Sequence, residues 1–348
     1  MDFLKSYNYL LEYEPDLNIY TPNLLNINDE FIYQEILNFI KKNNLSNILI
    51  SLSGGVDSNV IFEIINNIIL NKKADINIKI CHINYNNREE SKDEKNFLIE
   101  YCNSKNYIIE TIDLSFKRGD FKREDYEKQS KNERYEFYRR LVNENNLDGV
   151  ILGHHEDDLV ENIFNNIMRG NRGITNLTVL KDKNEILDVN IYRPMLKLRK
   201  DVIYDFAHKY HIPYFLDTTP NWSCRGKMRR KIFPSCNDCY SEKFKDNLLK
   251  LGKESDELSL ILNNYIIKTI IDNVILKDKK IYINKEDILR EKYILKIFLF
   301  KISNKFKLNV IKYKVIDLII NNFDKNIKLI ISKDVSLNIN DTQIVINI

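Results

Sequence analysis

The chain has 348 residues, 43% of them hydrophobic and 30% charged, and a formal net charge of +3. That length supports one large domain or two medium ones with real cores, and the composition is that of an ordinary globular protein. The charge is too small to argue for nucleic acid by itself, so an RNA-binding reading must rest on local clusters. No window approaches the ~18 consecutive apolar residues of a membrane helix, and no membrane partner is expected. The start, Met1-Asp2-Phe3-Leu4-Lys5, lacks the basic-then-apolar order of a secretory signal. Five cysteines in such a chain point to free thiols and a reducing, cytoplasmic setting.

Residues 1–44 read as a mixed lead-in with an amphipathic helix over Phe31–Lys42. Asn47–Leu52 is a short apolar run that predicts a buried strand, followed by Gly54-Gly55 and a helix over Asn59–Leu70. Further strands are expected over Ile76–Asn84, Tyr107–Leu114 and Gly149–Leu152, with helices over Lys92–Ser104 and Asn132–Asn145 between them. Alternation of this kind predicts an α/β fold, a parallel sheet with helices on both faces. After Pro234 the texture changes to long helices, Lys243–Thr269 and Lys292–Phe306. Two apolar runs close the chain, Ile327–Ile331 and Thr342–Ile348, and read as a terminal β-hairpin. The expected organisation is a lead-in (1–44), a catalytic domain (45–235), and a helical linker with a small C-terminal domain (236–348), the change falling near 235–245.

The segment richest in chemistry is Ser53-Gly54-Gly55-Val56-Asp57-Ser58, directly after the first strand. Loops there sit at the ligand edge of an open α/β sheet. Two glycines let the backbone approach an anion, both serines carry donors, and the next helix aims its N-terminus at the same place. Asp57 would repel a bare phosphate; a bridging Mg²⁺ resolves the conflict. No Walker sequence is present, so γ-phosphate transfer of the common kind has no support.

Gly153-His154-His155-Glu156-Asp157-Asp158 continues to Glu161 and on to Met168-Arg169-Gly170. If a helix starts near Glu156, Asp158 and Glu161 share one face and suit an ammonium or a metal. Adjacent histidines do not readily face one zinc ion, and no third ligand follows at zinc spacing. His82, alternating with isoleucines, reads either as a core histidine or as a border of the nucleotide site. Arg225-Gly226-Lys227-Met228-Arg229-Arg230-Lys231 puts five cations in seven positions, a solvated face or a phosphate-binding one. Cys236-Asn237-Asp238-Cys239 with Cys224 nearby could hold an iron–sulfur centre, or the cysteines are incidental thiols.

The Ser53–Ser58 motif resembles the signature of the PP-loop ATP pyrophosphatases. Together with Cys81–Arg88, Glu133-Arg134-Tyr135-Glu136-Phe137, Gly153–Asn162, Arg193-Pro194-Met195-Leu196, Asp217 and Arg225–Arg230, it resembles tRNA(Ile)-lysidine synthetase over residues ~45–260. The resemblance implies adenylation of a wobble cytidine with ATP and Mg²⁺, then attack by free lysine. It places ATP on Ser53, Gly54, Gly55, Val56, Asp57 and Ser58 with His82 and His154, and the metal on Asp57 through phosphate. It gives Asp57, Arg134, Asp158 and Glu161 catalytic or lysine-holding roles. Contact with tRNA would fall to Arg169, Arg193, Arg225, Lys227, Arg229 and Arg230. Two positions depart from the family: Arg225-Gly226 stands where Arg-Asn is usual, and Lys131 where an Arg is. A tRNA cytidine thiolase, another PP-loop amide ligase and an idle RNA-binding relative are the alternatives, and a homodimer is left open as the assembly.

Overall fold

The computed structural model describes residues 6–12, 27–87, 89–116, 122–170, 173–217, 219, 223–288, 291–306, 308, 313–331 and 335–347. Residues 1–5 and 13–26 of the lead-in, Arg88 and the chain's last residue, Ile348, are among those that lie outside them. The chain divides into two compact units: residues 1–173 with 177–252, and residues 174–176 with 253–348. The second unit thus begins a few residues beyond the expected change of texture, within one continuous helix.

In the first unit α1 (Phe31–Lys42) precedes β1 (Asn47–Ser51), α2 (Val56–Leu70), β2 (Asn77–Asn84), α3 (Ser91–Asn103) and β3 (Ile109–Asp113). Then come α4 (Arg123–Glu144), β4 (Gly149–Ile151), α5 (Glu156–Arg169), β5 (Lys183–Ile186), β6 (Val189–Tyr192) and α6 (Lys200–Lys209). The sheet order is β3-β2-β1-β4-β6-β5, parallel except for β5, which pairs antiparallel with β6. Ile48, Leu49 and Ile50 of β1 are buried because both faces of a central parallel strand are covered. Their neighbours are Ile78, Lys79 and Ile80 on one side and Gly149, Val150 and Ile151 on the other. The order reverses between β1 and β4, and the loops leaving those two strands carry the phosphate motif and His154-His155. That is where open sheets of this kind bind ligands. The 183–192 hairpin was not expected from sequence: Leu187 and Asp188, at φ 50° and 62°, make its two-residue turn without the glycine that usually marks one.

A helical run follows, α7 (Cys224–Lys227), a π-helical stretch (Met228–Ile232) and α8 (Phe233–Tyr240), and then α9 (Lys243–Ile261). A second π-helical stretch, Leu262–Ile267, joins α9 to α10 (Lys268–Asp272).

The second unit adds β7 (Ile275–Lys277), β8 (Lys280–Asn284), α11 (Lys292–Lys305), α12 (Tyr313–Asn321), β9 (Ile327–Ile330), β10 (Ser336–Ile339) and β11 (Gln343–Asn347). Its antiparallel sheet runs β7-β8-β11-β10-β9. Both closing apolar runs are strands, but they do not pair with each other. β10 lies between them, hidden from a sequence reading by its two polar residues, Ser336 and Asn338, which alternate with the buried Leu337 and Ile339. This unit has its own core around Phe298, Leu299, Leu337 and Ile344.

Candidate active site

Leaving β1, the chain turns at Gly54 (φ 81°) and enters α2 through Gly55. A Cβ on Gly54 would stand 2.0 Å from the Phe215 ring, and the Phe215 backbone N–H donates to the Gly54 carbonyl at 2.9 Å, so only glycine fits there. Ser58 turns inward. Its hydroxyl accepts from the Ser53 N–H (3.1 Å) and donates to the Gly55 carbonyl (3.0 Å), bracing the loop where the sequence suggests a phosphate donor. Ser53 and the free amides at the start of α2 remain on the open side, while the Val56 side chain joins the core.

Two histidines flank this loop in opposite tautomers. His82 Nδ1 lies 2.9 Å from the Leu52 carbonyl and must donate to it, leaving Nε2 an acceptor in the neutral ring; burial lowers its pKa. His82 is buried and also lines the cavities beside the loop. His154 Nδ1 instead accepts from Arg193 Nε at 3.2 Å, and burial above all brings its pKa down to about 4, so Nε2 carries the proton. Arg193 is only 2% exposed, with Nη1 donating to the Lys181 carbonyl and Asn184. It cannot meet an RNA phosphate, which corrects the sequence expectation; it orients His154.

The acidic helix begins as expected, at Glu156, with the Asp158 carboxylate accepting from the His155 N–H. Asp158 and Glu161 share one face, as expected, and in this structure two guanidinium groups of the chain itself occupy it. Arg225 bridges the two, Nη2 to Asp158 at 2.6 Å and Nε to Glu161 at 2.5 Å. Arg229 bonds the other Glu161 oxygen and comes within 3.4 Å of Asp158. Burial pushes the Asp158 carboxyl up, but His155, Arg225 and His154 outweigh it and hold the group below the usual range. Of the expected RNA contacts, then, Arg225 and Arg229 are engaged inside the site. Lys227 and Arg230 face outward, Arg230 donating to the Thr219 carbonyl. Arg169 is exposed at the far end of α5, eleven residues and roughly 16 Å from Asp158.

Two cavities meet on the phosphate loop. One, of about 640 Å³, is lined by Asn84, Tyr204, Tyr214, Phe215 and Asp217; the other, of about 380 Å³, by Arg134, Tyr138, His154, Asp158 and Arg225. Ser53, Asp57, His82, Tyr85, Lys200 and Arg229 line both. Arg134 donates to the Tyr85 hydroxyl at 3.3 Å, but its buried Nε has no partner and no carboxylate among the described residues pairs with it. Such a cation suits an anion that arrives with the substrate. Asp57 suits Mg²⁺, which takes one or two carboxylates and fills its remaining positions with water and substrate phosphate. In this structure Lys200 Nζ bonds both Asp57 oxygens, at 2.6 and 2.7 Å. The sequence reading missed Lys200, although its place as the first residue of the helix after Arg193–Leu196 could have flagged it. Among the described residues no three His, Cys, Asp or Glu side chains gather as for a protein-only metal centre. Cys224 and Cys236 pack around Val160 and Phe233.

The sequence profile of the PP-loop domain matches residues 28–236. The chain is similar to the tRNA(Ile)-lysidine synthase of Mycoplasma mycoides subsp. mycoides, 26% identical over 235 residues, 68% of this chain and 56% of that protein. It therefore spans about half the length of that relative. It is also similar to the tRNA(Ile)-lysidine synthase of Ureaplasma parvum serovar 3, 26% identical over 289 residues, 81% of this chain and 80% of that one. Among solved structures, the U34-tRNA thiolase NcsA from Methanococcus maripaludis, with its [4Fe-4S] cluster, shares the fold. Its TM-score is 0.51 at 15% identity, over 67% of this chain and 81% of that one.

Proposed function

The chain belongs to the PP-loop family of ATP-using proteins, and on that footing we propose that it is an RNA-modifying ligase that joins free lysine to a tRNA cytidine. The 2-oxo group of the base attacks the α-phosphorus of ATP, pyrophosphate leaves, and the lysine ε-amine then displaces AMP from C2. The observation that carries this reading is the pair of adjoining cavities. A nucleotide in the larger one presents its phosphates along Ser53 and Asp57, and the smaller one receives the second substrate on the other side of the same loop. Holding both reactants in line supplies most of the rate.

The amides of α2 and Ser53 hold phosphate, and Arg134 offsets the charge that builds at the α-phosphorus. His154 presents its Nε2–H as a neutral donor. Asp158 and Glu161 take the lysine ammonium once Arg225 and Arg229 release them. Lys227, Arg230 and Arg169 are left to meet RNA phosphates. Mg²⁺ at Asp57 would neutralise the triphosphate. The proposed reaction, which needs tRNA, ATP and free lysine together, implies a cytoplasmic location. Sedimentation would separate a monomer from the homodimer we leave open.

The test is incorporation of labelled lysine into an in vitro transcript with a CAU anticodon, with ATP and Mg²⁺. Incorporation that is lost in Asp57→Ala supports the proposal. Pyrophosphate release on adding RNA without lysine uptake would retain adenylation and replace lysine by another nucleophile. No ATP cleavage with any tRNA that binds would return the idle relative.

A further inference from the structure

Lys200 is the cation most deeply engaged with the phosphate loop, and the signature motifs do not contain it. Its backbone N–H donates to Asp157 at 3.0 Å, which fixes the first residue of α6. From that anchor the side chain reaches across to Asp57 and bonds both carboxylate oxygens. Its ammonium also lies 5.1 Å from the centroid of the Tyr204 ring, a flat electron-rich surface along which it can slide without losing all its stabilisation. Both side chains are about a quarter exposed, 26% for Lys200 and 23% for Asp57, and both line the two cavities.

That arrangement has two consequences. A divalent cation can use Asp57 only if the ammonium withdraws, because the ammonium already takes both oxygens. Once withdrawn, the ammonium remains on a flexible four-carbon stem at the mouth of the phosphate loop, where a bound triphosphate is the nearest strong anion.

We propose that Lys200 is a further catalytic residue, an exchanging counter-ion that neutralises Asp57 in the free protein and moves onto the phosphates when the metal–nucleotide complex binds. There it stabilises the departing pyrophosphate. As the bond from the cytidine oxygen to the α-phosphorus forms, the bond from that phosphorus to the bridging oxygen breaks. Its electron pair stays on pyrophosphate beside the Lys200 ammonium, which keeps its proton throughout. Preorganised positive charge at a developing anion is the usual source of large rate effects. The proposal rests on the nucleotide reading given above.

The experiment titrates Mn²⁺ alone, by loss of the free-ion EPR signal, into the wild-type protein, Lys200→Met and Lys200→Arg. It then measures affinity for a non-hydrolysable ATP analogue and the rate of pyrophosphate release. With its competitor removed, Lys200→Met should bind Mn²⁺ alone about 10-fold tighter, yet bind the analogue roughly 10-fold more weakly, since each lost charge contact is worth about a decade. Pyrophosphate release should fall ~100-fold. Lys200→Arg, which keeps the charge, should hold Mn²⁺ as weakly as the wild type and recover part of the rate. Unchanged Mn²⁺ and analogue affinities in Lys200→Met would overturn the exchange. A wild-type protein that releases no pyrophosphate would instead sink the proposed reaction, while Mn²⁺ tightening in Lys200→Met would still establish the competition for Asp57.

Discussion

Arg193 donates its Nε–H to Nδ1 of His154 across 3.2 Å, from a position almost sealed against solvent. Burial, with Arg193 and Arg225 adding to it against an upward pull from Asp158, brings the imidazole to about 4. In the unfolded chain its pKa is about 6.5. Above that value both states are neutral and the contribution to stability is constant. As pH falls from about 6.5 toward 4 the unfolded chain takes up the proton first, so stability is lost over that window. The loss of stability between pH 7 and 5, read from urea midpoints, should be smaller in His154→Gln than in the wild type. In ¹⁵N NMR, His154 should stay neutral at pH 5 with Nδ1 unprotonated.

The Arg225–Glu161 contact should show measurable coupling. Arg225 is about half exposed, so solvent discounts the pair even though Glu161 is buried. A double-mutant cycle with Arg225→Ala and Glu161→Ala should give about 1 kcal/mol. Coupling near zero would mean that the guanidinium leaves the carboxylate readily without any ligand.

Gly54→Ala should cost stability twice over, through contact with Phe215 and through the left-handed backbone. The expected loss is ~3 kcal/mol, with ATP binding abolished. In a Phe215→Ala background, which carries its own cavity cost, Gly54→Ala should cost only the backbone strain of about 1 kcal/mol. Denaturation of the single and double variants separates the two contributions.

Lys105 and Glu63 form an ion pair 3.0 Å apart with side chains 0% and 2% exposed, between α2 and the turn after α3. Tyr101 donates to the same carboxylate. Lys105→Met strands the buried charge and should destabilise by ~3–5 kcal/mol, while Lys105→Met combined with Glu63→Leu should recover most of it. Equal losses in the two variants would show that the pair is not buried as described.

Much of this was legible in the sequence where local pattern decides the outcome. Ile48–Ile50 could only be a covered strand, and Gly54-Gly55 before a helix could only be a tight entry. Asp158 and Glu161 three apart had to share a face. What could not be read were partners chosen by tertiary packing. Arg225 and Arg229 belong to a run of cations that looks solvent-facing, and their i, i+4 spacing does not reveal that the opposite surface is acidic. Arg193 resembles a phosphate ligand until burial is known. Lys200 sits in a mixed-charge stretch, Arg199-Lys200-Asp201, marked only by its place just after Arg193–Leu196. β10 was missed because only alternate residues of it are apolar and it is four residues long.

The reversal of strand order between β1 and β4 also bears on when the site can exist during synthesis. The phosphate motif is complete as sequence by Ser58, and β2 follows it closely. The other side of β1, however, waits for Ile151, and the turn at Gly54 waits for the amide of Phe215. Contacts this distant along the chain form late and slow the search for the native state. A nascent chain halted before residue 215 therefore carries the whole nucleotide motif without the geometry to use it. ATP affinity should then appear abruptly with chain length, as the last neighbour of the loop arrives, rather than grow with each added strand.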